Sequence, residues 1–294
     1  MTDRLAILKT YKLFIGGKFP RTESGRSIKV ADASGAVVAH TCRSSRKDLR
    51  NAVEAAEKAQ PGWASANAYL RGQILYRMAE MLEGKRDELA GAIVATGTVK
   101  KDDALAEVDA SVDRLVAFAG WADKFPQILG CHNPVTGPYY NFSVPEPTGV
   151  VGVVCPDDPS LLGLVSLVAP VICSGNAVVL LASEANPIPA CVLGEVLATS
   201  DLPGGVVNIL TGLRDELVEQ FAAHRAIAGV FAAGVSDEHR MTLEAGAAEN
   251  MKRVRVLDLG PDPVAGFADD SSMESPWTIE PFVETKTIWH PVSS

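Results

Sequence analysis

Five cysteines carry the greatest capacity for nucleophilic chemistry in this chain of 294 residues, because a thiolate attacks electrophilic carbon. They are Cys42, Cys131, Cys155, Cys173 and Cys191, and no two of them form a CxxC pair for zinc or redox chemistry. Cys155 ends an apolar run and would be the first candidate. A cysteine in such a run is more typical of an inert buried thiol, so we expect Cys155 to be unreactive.

The second half of the chain predicts the sheet that would position any such group. Short apolar runs, at residues 149–155, 177–181, 206–210, 228–231 and 254–259, alternate with helical patterns, at residues 160–173, 187–199, 215–223 and 236–247. Near-continuous apolar strands separated by helices are typical of a parallel sheet covered on both faces. We therefore predict an α/β, doubly wound, Rossmann-like domain, in which ligands bind beyond the carboxyl ends of the strands.

The first half of the chain predicts helices that cover this sheet. Residues 11–15 read as a short strand before a Gly-Gly turn. Apolar residues recur at helical spacing over residues 45–60, 69–96 and 102–125. Ser44 or Ser45 is the expected N-cap of the first helix, and Pro61 and Gly62 are expected to end it. Residues 139–144 alternate like an extended ribbon, and Pro145 and Pro147 keep that ribbon out of a central sheet.

Composition excludes several classes of function. The net charge of −9 argues against nucleic-acid binding, since phosphate recognition needs clustered cations. No apolar run approaches the roughly 20 residues of a membrane helix, and the first residues do not resemble a secretion signal. Scattered cysteines, odd in number, indicate reduced thiols in a cytoplasmic protein. The sequence therefore predicts a protein that binds neither nucleic acid nor membrane.

Four motifs in order resemble the aldehyde dehydrogenase superfamily. The run GVVGVVCP at residues 149–156 resembles the first strand of that family's coenzyme domain. PVICSGNAVVL at residues 170–180 is similar to P-A-L-A-x-G-N-x-V-V-x, and LPGGVVNILTG at residues 202–212 to L-P-x-G-V-x-N-x-V-x-G. LDLG at residues 257–260 resembles L-E-L-G. Each motif alone is weak, but four in order at the family's spacing are specific.

The resemblance implies catalytic positions that this chain does not fill. The family oxidises aldehydes with NAD or NADP through a cysteine nucleophile, an asparagine that binds the oxyanion, and a glutamate base. Asp158 stands where the P-W-N-F-P motif has its asparagine, and an ionised carboxylate cannot donate a hydrogen bond to an oxyanion. Asp258 stands at the glutamate. The family's cysteine lies beyond the L-E-L-G motif, where this chain has none after Cys191. We expect no catalytic residues, Asp158 and Asp258 being degenerate positions.

The resemblance also implies a coenzyme site, in altered form. The family's K-P-S-E motif appears as LASE at residues 181–184, which keeps Ser183 and Glu184 but replaces the lysine with leucine. Gly212 matches a family glycine, whereas Arg214 stands where a second glycine lets the nucleotide approach. We expect Ser183, Glu184 and Gly212 to be vestigial cofactor-binding residues. The alternative interpretation is that Ser183 and Glu184 belong to a strand–helix turn with satisfied caps.

The phosphate end of the implied coenzyme site is acidic. Asp237 and Glu238 open a predicted helix at the place where pyrophosphate would dock, and negative charge there opposes an anion. The sequence therefore predicts no bound cofactor, with weak NAD(P) binding as the alternative. It predicts no metal site.

The end of the chain resembles the family's oligomerisation arm. PFVETKTIW at residues 281–289 is similar to the closing Y-T-E-x-K-T-V strand, which in the family follows the catalytic domain. With the ribbon at residues 139–147 it would form an arm that needs a partner to cover it. The predicted oligomerisation residues are Tyr139, Tyr140, Phe142, Val144, Phe282, Val283, Lys286, Ile288 and Trp289.

These inferences predict five segments. They are an N-terminal helical part of a coenzyme-binding-type domain (residues 1–136), the first ribbon of the arm (137–148), a Rossmann-like αβ domain (149–262), a linker replacing the catalytic domain (263–278) and the terminal oligomerisation strand (279–294).

The expected function is that of a non-catalytic, aldehyde dehydrogenase-like pseudoenzyme subunit. Its expected partner is a full-length NAD(P)-dependent aldehyde dehydrogenase in a hetero-oligomer, because two copies of this chain cannot supply the catalytic-domain sheet on which the family's arm docks. Self-association stays an alternative partner. An oxidoreductase acting on aldehydes with NAD only as part of a complex, and a nucleotide or small-molecule sensor using the degenerate cleft, stay alternative functions.

Overall fold

The computed structural model describes residues 7–292 of the chain. The described part leaves out residues 1–6, to which the prediction of no secretion signal refers, and residues 293–294, the last two of the predicted terminal strand. A small sheet begins the described part, with strand order β1-β3-β2. Its strands are β1 (Lys9–Thr10), β2 (Ser27–Ala31) and β3 (Val37–Cys42). The strand predicted at residues 11–15 is reduced to isolated bridges, one of them joining Phe14 to Ile209.

Five helices follow the small sheet. They are α1 (Arg46–Ser65), α2 (Ala68–Glu83), α3 (Arg86–Val94), α4 (Lys101–Trp121) and α5 (Phe125–Leu129). Ser45 is the N-cap of α1 and forms a capping box with Asp48. The helix predicted to end at Pro61 continues to Ser65, because buried Trp63 holds its last turn by donating from Nε1 to the Ile172 carbonyl at 2.8 Å.

The single helix predicted over residues 69–96 is two helices. Gly84 ends α2, donating its backbone N–H to the Glu80 carbonyl at 3.0 Å. Lys85 then leaves helical geometry, with φ −108° and ψ 17°. This change of direction lets α2 and α3 each pack against α4, which one straight helix would not do.

The main sheet has five strands, all parallel to their neighbours, in the order β10-β9-β6-β7-β8. The strands are β6 (Val150–Val154), β7 (Ala177–Leu181), β8 (Val207–Leu210), β9 (Ile227–Ala233) and β10 (Arg253–Leu257), after the short β4 (Cys131–Asn133) and the longer β5 (Tyr139–Pro147). The connecting helices are α6 (Leu162–Cys173), α7 (Ile188–Ala198), α8 (Arg214–Ala223) and α9 (Asp237–Asn250). The predicted α/β doubly wound fold is confirmed.

Hydrophobic cores cover both faces of this sheet, as near-continuous apolar strands require. Every residue of β6, β7 and β8 is buried, and so is every residue of α6, because α4 packs over α6. Helices α1 and α8 cover the opposite face. The strand order reverses at β6: β7 and β8 follow on one side of it, and β9 and β10 lie on the other side. Ligands of such sheets bind at the reversal, so the gap between the carboxyl ends of β6 and β9 is the expected ligand site.

The segment predicted as a linker, residues 263–278, is folded against the body of the chain. It contains α10 (Pro263–Ala268), α11 (Asp270–Met273) and a 3-10 turn at Pro276–Thr278. Its Phe267 and Met273 are buried, and Trp121 donates from Nε1 to the Glu274 carbonyl at 2.7 Å. Its replacement of a catalytic domain stays a prediction.

Buried Arg114 on α4 fixes the same segment. Its guanidinium donates to Ser166 Oγ at 2.5 Å and to the Phe267 carbonyl at 2.9 Å, and it pairs with Asp270 at 3.1 Å and Glu274 at 3.4 Å. This contact was not predictable from the sequence, because an arginine in an amphipathic helix ordinarily extends into solvent.

The terminal strand β11 (Val283–Pro291) completes a third sheet of order β11-β5-β4. All nine of its residues pair antiparallel with β5, from Val283 opposite Pro147 to Pro291 opposite Tyr139. The two predicted arm ribbons therefore pair with each other. No helix among residues 7–292 is both long and apolar enough to cross a bilayer.

Candidate functional site

A cavity of about 420 Å³ lies at the carboxyl ends of β6, β9 and β10, next to the reversal point of the sheet. Pro156 and Gly234 line it from the ends of two neighbouring strands, and Phe267 of α10 lines it from the far side. Its charged lining is mostly acidic, consisting of Asp157, Asp158, Asp237, Arg240 and Asp258. Such a lining opposes an anionic ligand.

The two positions that the sequence predicts to be degenerate, Asp158 and Asp258, both line this cavity. Asp158 lies at the rim of the cavity and is exposed. Partial burial of its carboxyl raises the pKa of Asp158, and the charges of Asp262 and Asp157 raise it further. Asp258 is also exposed and accepts from the Gly260 backbone N–H at 3.0 Å. In ionised form, neither carboxylate donates a hydrogen bond to a developing oxyanion.

The predicted cofactor-binding residues lie together at the carboxyl ends of β7 and β8. Ser183 Oγ lies 3.1 Å from Asp157 Oδ1 and accepts from the Asn186 backbone N–H at 2.9 Å. Glu184 Oε2 accepts from the Arg214 backbone N–H at 2.9 Å, at the start of α8. Gly212 packs closely, since an added Cβ would meet Leu217 Cδ1 at 3.0 Å. These contacts fit the alternative interpretation, in which both side chains cap turns of the chain itself.

Arg214 joins this group to the first strand of the sheet. Its Nη1 lies 2.7 Å from Asp157 Oδ2 and its Nη2 lies 2.9 Å from Asp157 Oδ1, a bidentate ion pair. Nη2 also donates to the Cys155 carbonyl at 2.7 Å. The Arg214 side chain thus extends from the start of α8, across the end of β7, to the end of β6. The arginine side chain is 10% exposed.

Asp157 is saturated with hydrogen bonds. Besides Arg214 and Ser183, its Oδ1 accepts from the backbone N–H groups of Glu184 at 2.8 Å and Ala185 at 3.1 Å. Burial by itself would raise the pKa of the Asp157 carboxyl, but the Arg214 guanidinium and these two N–H groups outweigh burial and hold the pKa below its ordinary value. Asp157 is therefore ionised near neutral pH.

Asp157 is a site residue that the sequence did not reveal, and Arg214 was predicted only as the loss of a glycine. The available signal was that the two residues place opposite charges at positions where the family motifs have uncharged residues. Their geometry does not fit a dinucleotide. The guanidinium crosses the edge at which an adenosine would bind, and Asp237 and Glu238 occupy the first turn of α9, where pyrophosphate would dock.

Glu107 of α4 is a second residue that the sequence did not reveal. Its Oε1 accepts from the backbone N–H groups of Leu161 at 2.6 Å and Leu162 at 3.1 Å, which caps the start of α6. Burial raises the pKa of the Glu107 carboxyl, and the charge of Asp158 raises it further. The two N–H groups lower this pKa, but by less, so that the net change is an increase. Glu107 and Asp158 also line a second cavity, of about 430 Å³, on the other side of α10.

The thiols near the sheet are not poised for nucleophilic attack. Cys155 is buried, and burial raises the pKa of its thiol. Burial raises the pKa of Cys173 and of Cys191 to about 12. Cys131 is exposed but lies on β4, away from the cavity. Among residues 7–292, no group of three or more His, Cys, Asp or Glu side chains is arranged to hold a metal ion.

The predicted oligomerisation residues divide between arm and core. Tyr139, Tyr140 and Trp289 are exposed, with Tyr139 and Trp289 in edge-to-face contact at 5.7 Å between ring centroids. Phe142, Val144 and Ile288 are half-buried on the arm, and exposed Lys286 pairs with Glu146 at 2.9 Å.

The exposed surface of the arm is smaller than the sequence predicted. Phe282 and Val283 are buried in the chain's own core, where the Phe282 ring lies 5.0 Å from that of Phe231. The Phe282 carbonyl also accepts from Asn176 Nδ2 at 2.8 Å, which fixes the start of β11 to the main sheet.

Comparison with known proteins agrees with this architecture. The profile of the aldehyde dehydrogenase family matches residues 20–272. The cytosolic aldehyde dehydrogenase 1 of Elephantulus edwardii is 32% identical over 274 residues, which cover 90% of this chain and 54% of that protein. The mitochondrial benzaldehyde dehydrogenase of Antirrhinum majus is 33% identical over 85% of this chain and 47% of its own length.

Solved structures give the same result. The NAD⁺ complex of an aldehyde dehydrogenase from Bacillus cereus superposes with a TM-score of 0.80 at 26% identity, over 84% of this chain and 50% of that one. The chain thus spans about half the length of the relatives that it matches. By profile, sequence identity and fold, this chain belongs to the aldehyde dehydrogenase family.

Proposed function

We propose that this chain is a non-catalytic subunit of the aldehyde dehydrogenase family, which binds a full-length NAD(P)-dependent aldehyde dehydrogenase and supports or regulates it in a hetero-oligomer. The observation that carries the proposal is the exposed arm formed by β5 and β11. The proposal therefore assigns the chain a function in assembly, separate from turnover.

The arm has the properties of an unfilled interface. Most of β11 is exposed, and among residues 7–292 no strand pairs with its outer edge. Tyr140, Phe142 and Ile288 share one face of the ribbon, because opposite residues of antiparallel strands point the same way. An exposed strand edge beside exposed aromatic rings is a template for pairing with another chain. A family partner with a complete catalytic domain would offer a sheet for that edge.

The cleft supports the non-catalytic half of the proposal. Asp158 stands where the family motif has its oxyanion asparagine, and an ionised carboxylate there has no hydrogen to donate. The nearby thiol of Cys155 is buried, and burial raises its pKa. Oxidation of an aldehyde by this route begins with thiolate addition to the carbonyl, which needs both the thiolate and an oxyanion donor, and removing one such donor ordinarily costs about 10²–10³ in rate. A cleft lacking both is suited to a subunit that acts through its surface.

Co-expression tests the proposal. The tagged chain would be produced with each full-length aldehyde dehydrogenase of the same genome and the assemblies weighed by native mass spectrometry. We expect one of them to form a complex of fixed stoichiometry. Trp289→Ser on the arm should weaken that complex at least tenfold, since an aromatic anchor carries much of an interface's binding energy. Trp277→Ser is the matched control, because Trp277 is similarly exposed, at 64% against 58% for Trp289, and lies outside the arm.

Two results would refute the proposal. One is a chain that stays monomeric with every full-length relative. The other is NADH or NADPH formation by the purified chain alone with a panel of aldehydes. A self-associated chain that dissociates in Trp289→Ser would replace the hetero-oligomer with a homo-oligomer.

The cavity of about 420 Å³ at the reversal point of the sheet favours a second candidate, a small-molecule sensor. A sensor would show thermal stabilisation by a ligand in the absence of any partner protein. A subunit that functions only in assembly would show stabilisation by the partner instead. An aldehyde oxidoreductase active with NAD only inside the complex would reveal itself as turnover that depends on this chain's cleft residues.

A further inference from the structure

The structure points to a built-in occupant of the coenzyme cleft. We propose that the Arg214–Asp157 ion pair fills the ribose end of the cleft and excludes adenine nucleotides from it. This inference concerns the chain's own ligand site and does not depend on the proposed function.

The ion pair lies across the carboxyl ends of three adjacent strands. Strands β6, β7 and β8 are adjacent, and ligands of a parallel sheet bind across the carboxyl ends of such strands. Arg214 begins α8, directly after β8, and its Nη2 donates to the Cys155 carbonyl directly after β6. Its side chain therefore lies across the carboxyl ends of β8, β7 and β6, beside the gap between β6 and β9.

The carboxylates at this end of the cleft already accept hydrogen bonds from the chain itself. The two oxygens of Asp157 accept from Arg214, Ser183 and two backbone N–H groups. Glu184 Oε2 is engaged by the start of α8. A ribose hydroxyl approaching Asp157 would have to displace a charge-assisted hydrogen bond in order to form one of its own.

Among residues 7–292, the Arg214 guanidinium is bound through its two terminal nitrogens only. Arg214 Nε is buried and, within the described part of the chain, has no hydrogen-bond partner. An arginine in a site built around it would ordinarily satisfy this donor as well. The guanidinium is thus held by three hydrogen bonds, from Nη1 and Nη2 to Asp157 and to the Cys155 carbonyl.

Nucleotide titrations of the folded chain test the proposal directly. NAD, NADP and ADP-ribose would be titrated into the unaltered chain, into Arg214→Gly/Asp157→Asn and into Asp237→Asn/Glu238→Gln, by calorimetry and by thermal shift. We expect dissociation constants above about 1 mM for the unaltered chain. The Arg214→Gly/Asp157→Asn variant should bind ADP-ribose at least tenfold more tightly, since the crevice is open and Glu184 remains.

The second double variant separates the two ends of the cleft. It removes the acidic pair at the start of α9 and leaves the ion pair in place, so it should not gain affinity for ADP-ribose. A gain there comparable to that of Arg214→Gly/Asp157→Asn would overturn the proposal. Submillimolar binding of NAD by the unaltered chain would overturn it too. Binding of NADP but not NAD, abolished in Arg214→Gly, would make Arg214 a ligand for the 2′-phosphate and equally overturn it.

Thermal unfolding without ligand keeps the test valid if a variant folds poorly. Arg214→Gly alone leaves a charged Asp157 among backbone donors, and Asp157→Asn alone leaves a buried guanidinium. Each single variant should therefore lower the Tm by more than the double variant does, because losing both charges together removes the unpaired one. Additive losses would mean that the two residues are not coupled, and would count against the proposal.

Discussion

The carboxylates around the cleft bind the chain's own backbone. Glu184 caps α8, Glu107 caps α6, and Asp157 accepts two N–H groups from the turn after β7. A helix N-terminus attracts anions because its first N–H groups have no partner within the helix. In this chain internal carboxylates already satisfy such groups at α6 and α8. At the scale of single residues, the sites where a ligand's negative charge would bind are therefore largely filled from within.

Glu107→Gln tests the internal cap of α6. The pKa of Glu107 is raised in the folded chain above its ordinary value of 4.5, so its full contribution to stability is present below about pH 4.5 and is lost as the pH rises through the folded pKa. Glutamine accepts the same two N–H groups without a charge. We expect the Tm of Glu107→Gln to match that of the unaltered chain in acid and to exceed it at pH 7.

The control for this prediction is Glu107→Ala. Alanine leaves the backbone N–H groups of Leu161 and Leu162 without an acceptor, and should lower the free energy of unfolding by about 1–3 kcal/mol at every pH. If Glu107→Gln is the less stable protein at pH 7, the negative charge itself stabilises the start of α6, and the pKa argument is wrong.

At the scale of elements, the sequence was informative where burial alone decides structure. Strands β6 to β10 were predicted because each is a short apolar run, and such runs have few alternatives in an α/β chain. The helix break at Gly84 and the continuation of α1 past Pro61 depend on tertiary contacts, such as that of Trp63 with the Ile172 carbonyl. Such contacts have no local signature.

The segment that follows β10 shows the same limit more strongly. Its helices have six and four residues, too few for an apolar period to be visible. Gly, Pro, Asp and Ser residues there indicated a linker, yet Phe267 packs against the start of α6, where a Cβ added at Gly163 would meet its ring at 3.4 Å. Buried Phe267 and buried Arg114 of α4 thus hold residues 263–278 in a folded conformation, although the composition of this segment predicts a loop.

Phe267→Ala tests whether this segment is anchored by that ring. Removing a fully buried phenylalanine costs about 3–5 kcal/mol, and we expect the loss to appear as local opening. Hydrogen exchange should accelerate more over residues 263–278 than over β6 and β7. Val264→Ala, on the same helix but 44% exposed, should change the free energy of unfolding by less than about 0.5 kcal/mol. Equal acceleration in the segment and the sheet would show that the segment has no opening of its own.

At the scale of the whole molecule, the N-terminal helices and the main sheet share one core. Helix α6 is buried along its entire length because the sheet lies on one side and α4 on the other. The sequence placed residues 1–136 in the coenzyme-binding-type domain on resemblance alone. Which helix lies on which face could not be read from periodicity, since every amphipathic helix here has a face that would fit the sheet.

Arg71 offers a test of this shared core. It is buried between the layers and donates from Nε to the Cys173 carbonyl at 3.2 Å, at the end of α6, and from Nη1 to the Ala66 carbonyl at 2.6 Å, after α1. Arg71→Met should lower the free energy of unfolding by about 2–3 kcal/mol, since it leaves buried carbonyls short of a donor. Arg77→Met, which removes only an exposed pair with Glu80, should cost less than about 0.5 kcal/mol.

The form of the unfolding curve separates one domain from two. With the exposed Trp277 and Trp289 replaced by phenylalanine, fluorescence from Trp63 on α1 and Trp121 on α4 reports on the helical layer, and far-UV circular dichroism reports on the whole chain. If helices and sheet form one cooperative unit, urea midpoints from the two signals coincide, and Arg71→Met moves both by the same amount. Were the helices a separate domain, the fluorescence midpoint would shift alone and the dichroism curve would divide into two steps. The wholly buried α6 favours the single transition, because neither layer retains a covered core once the other has unfolded.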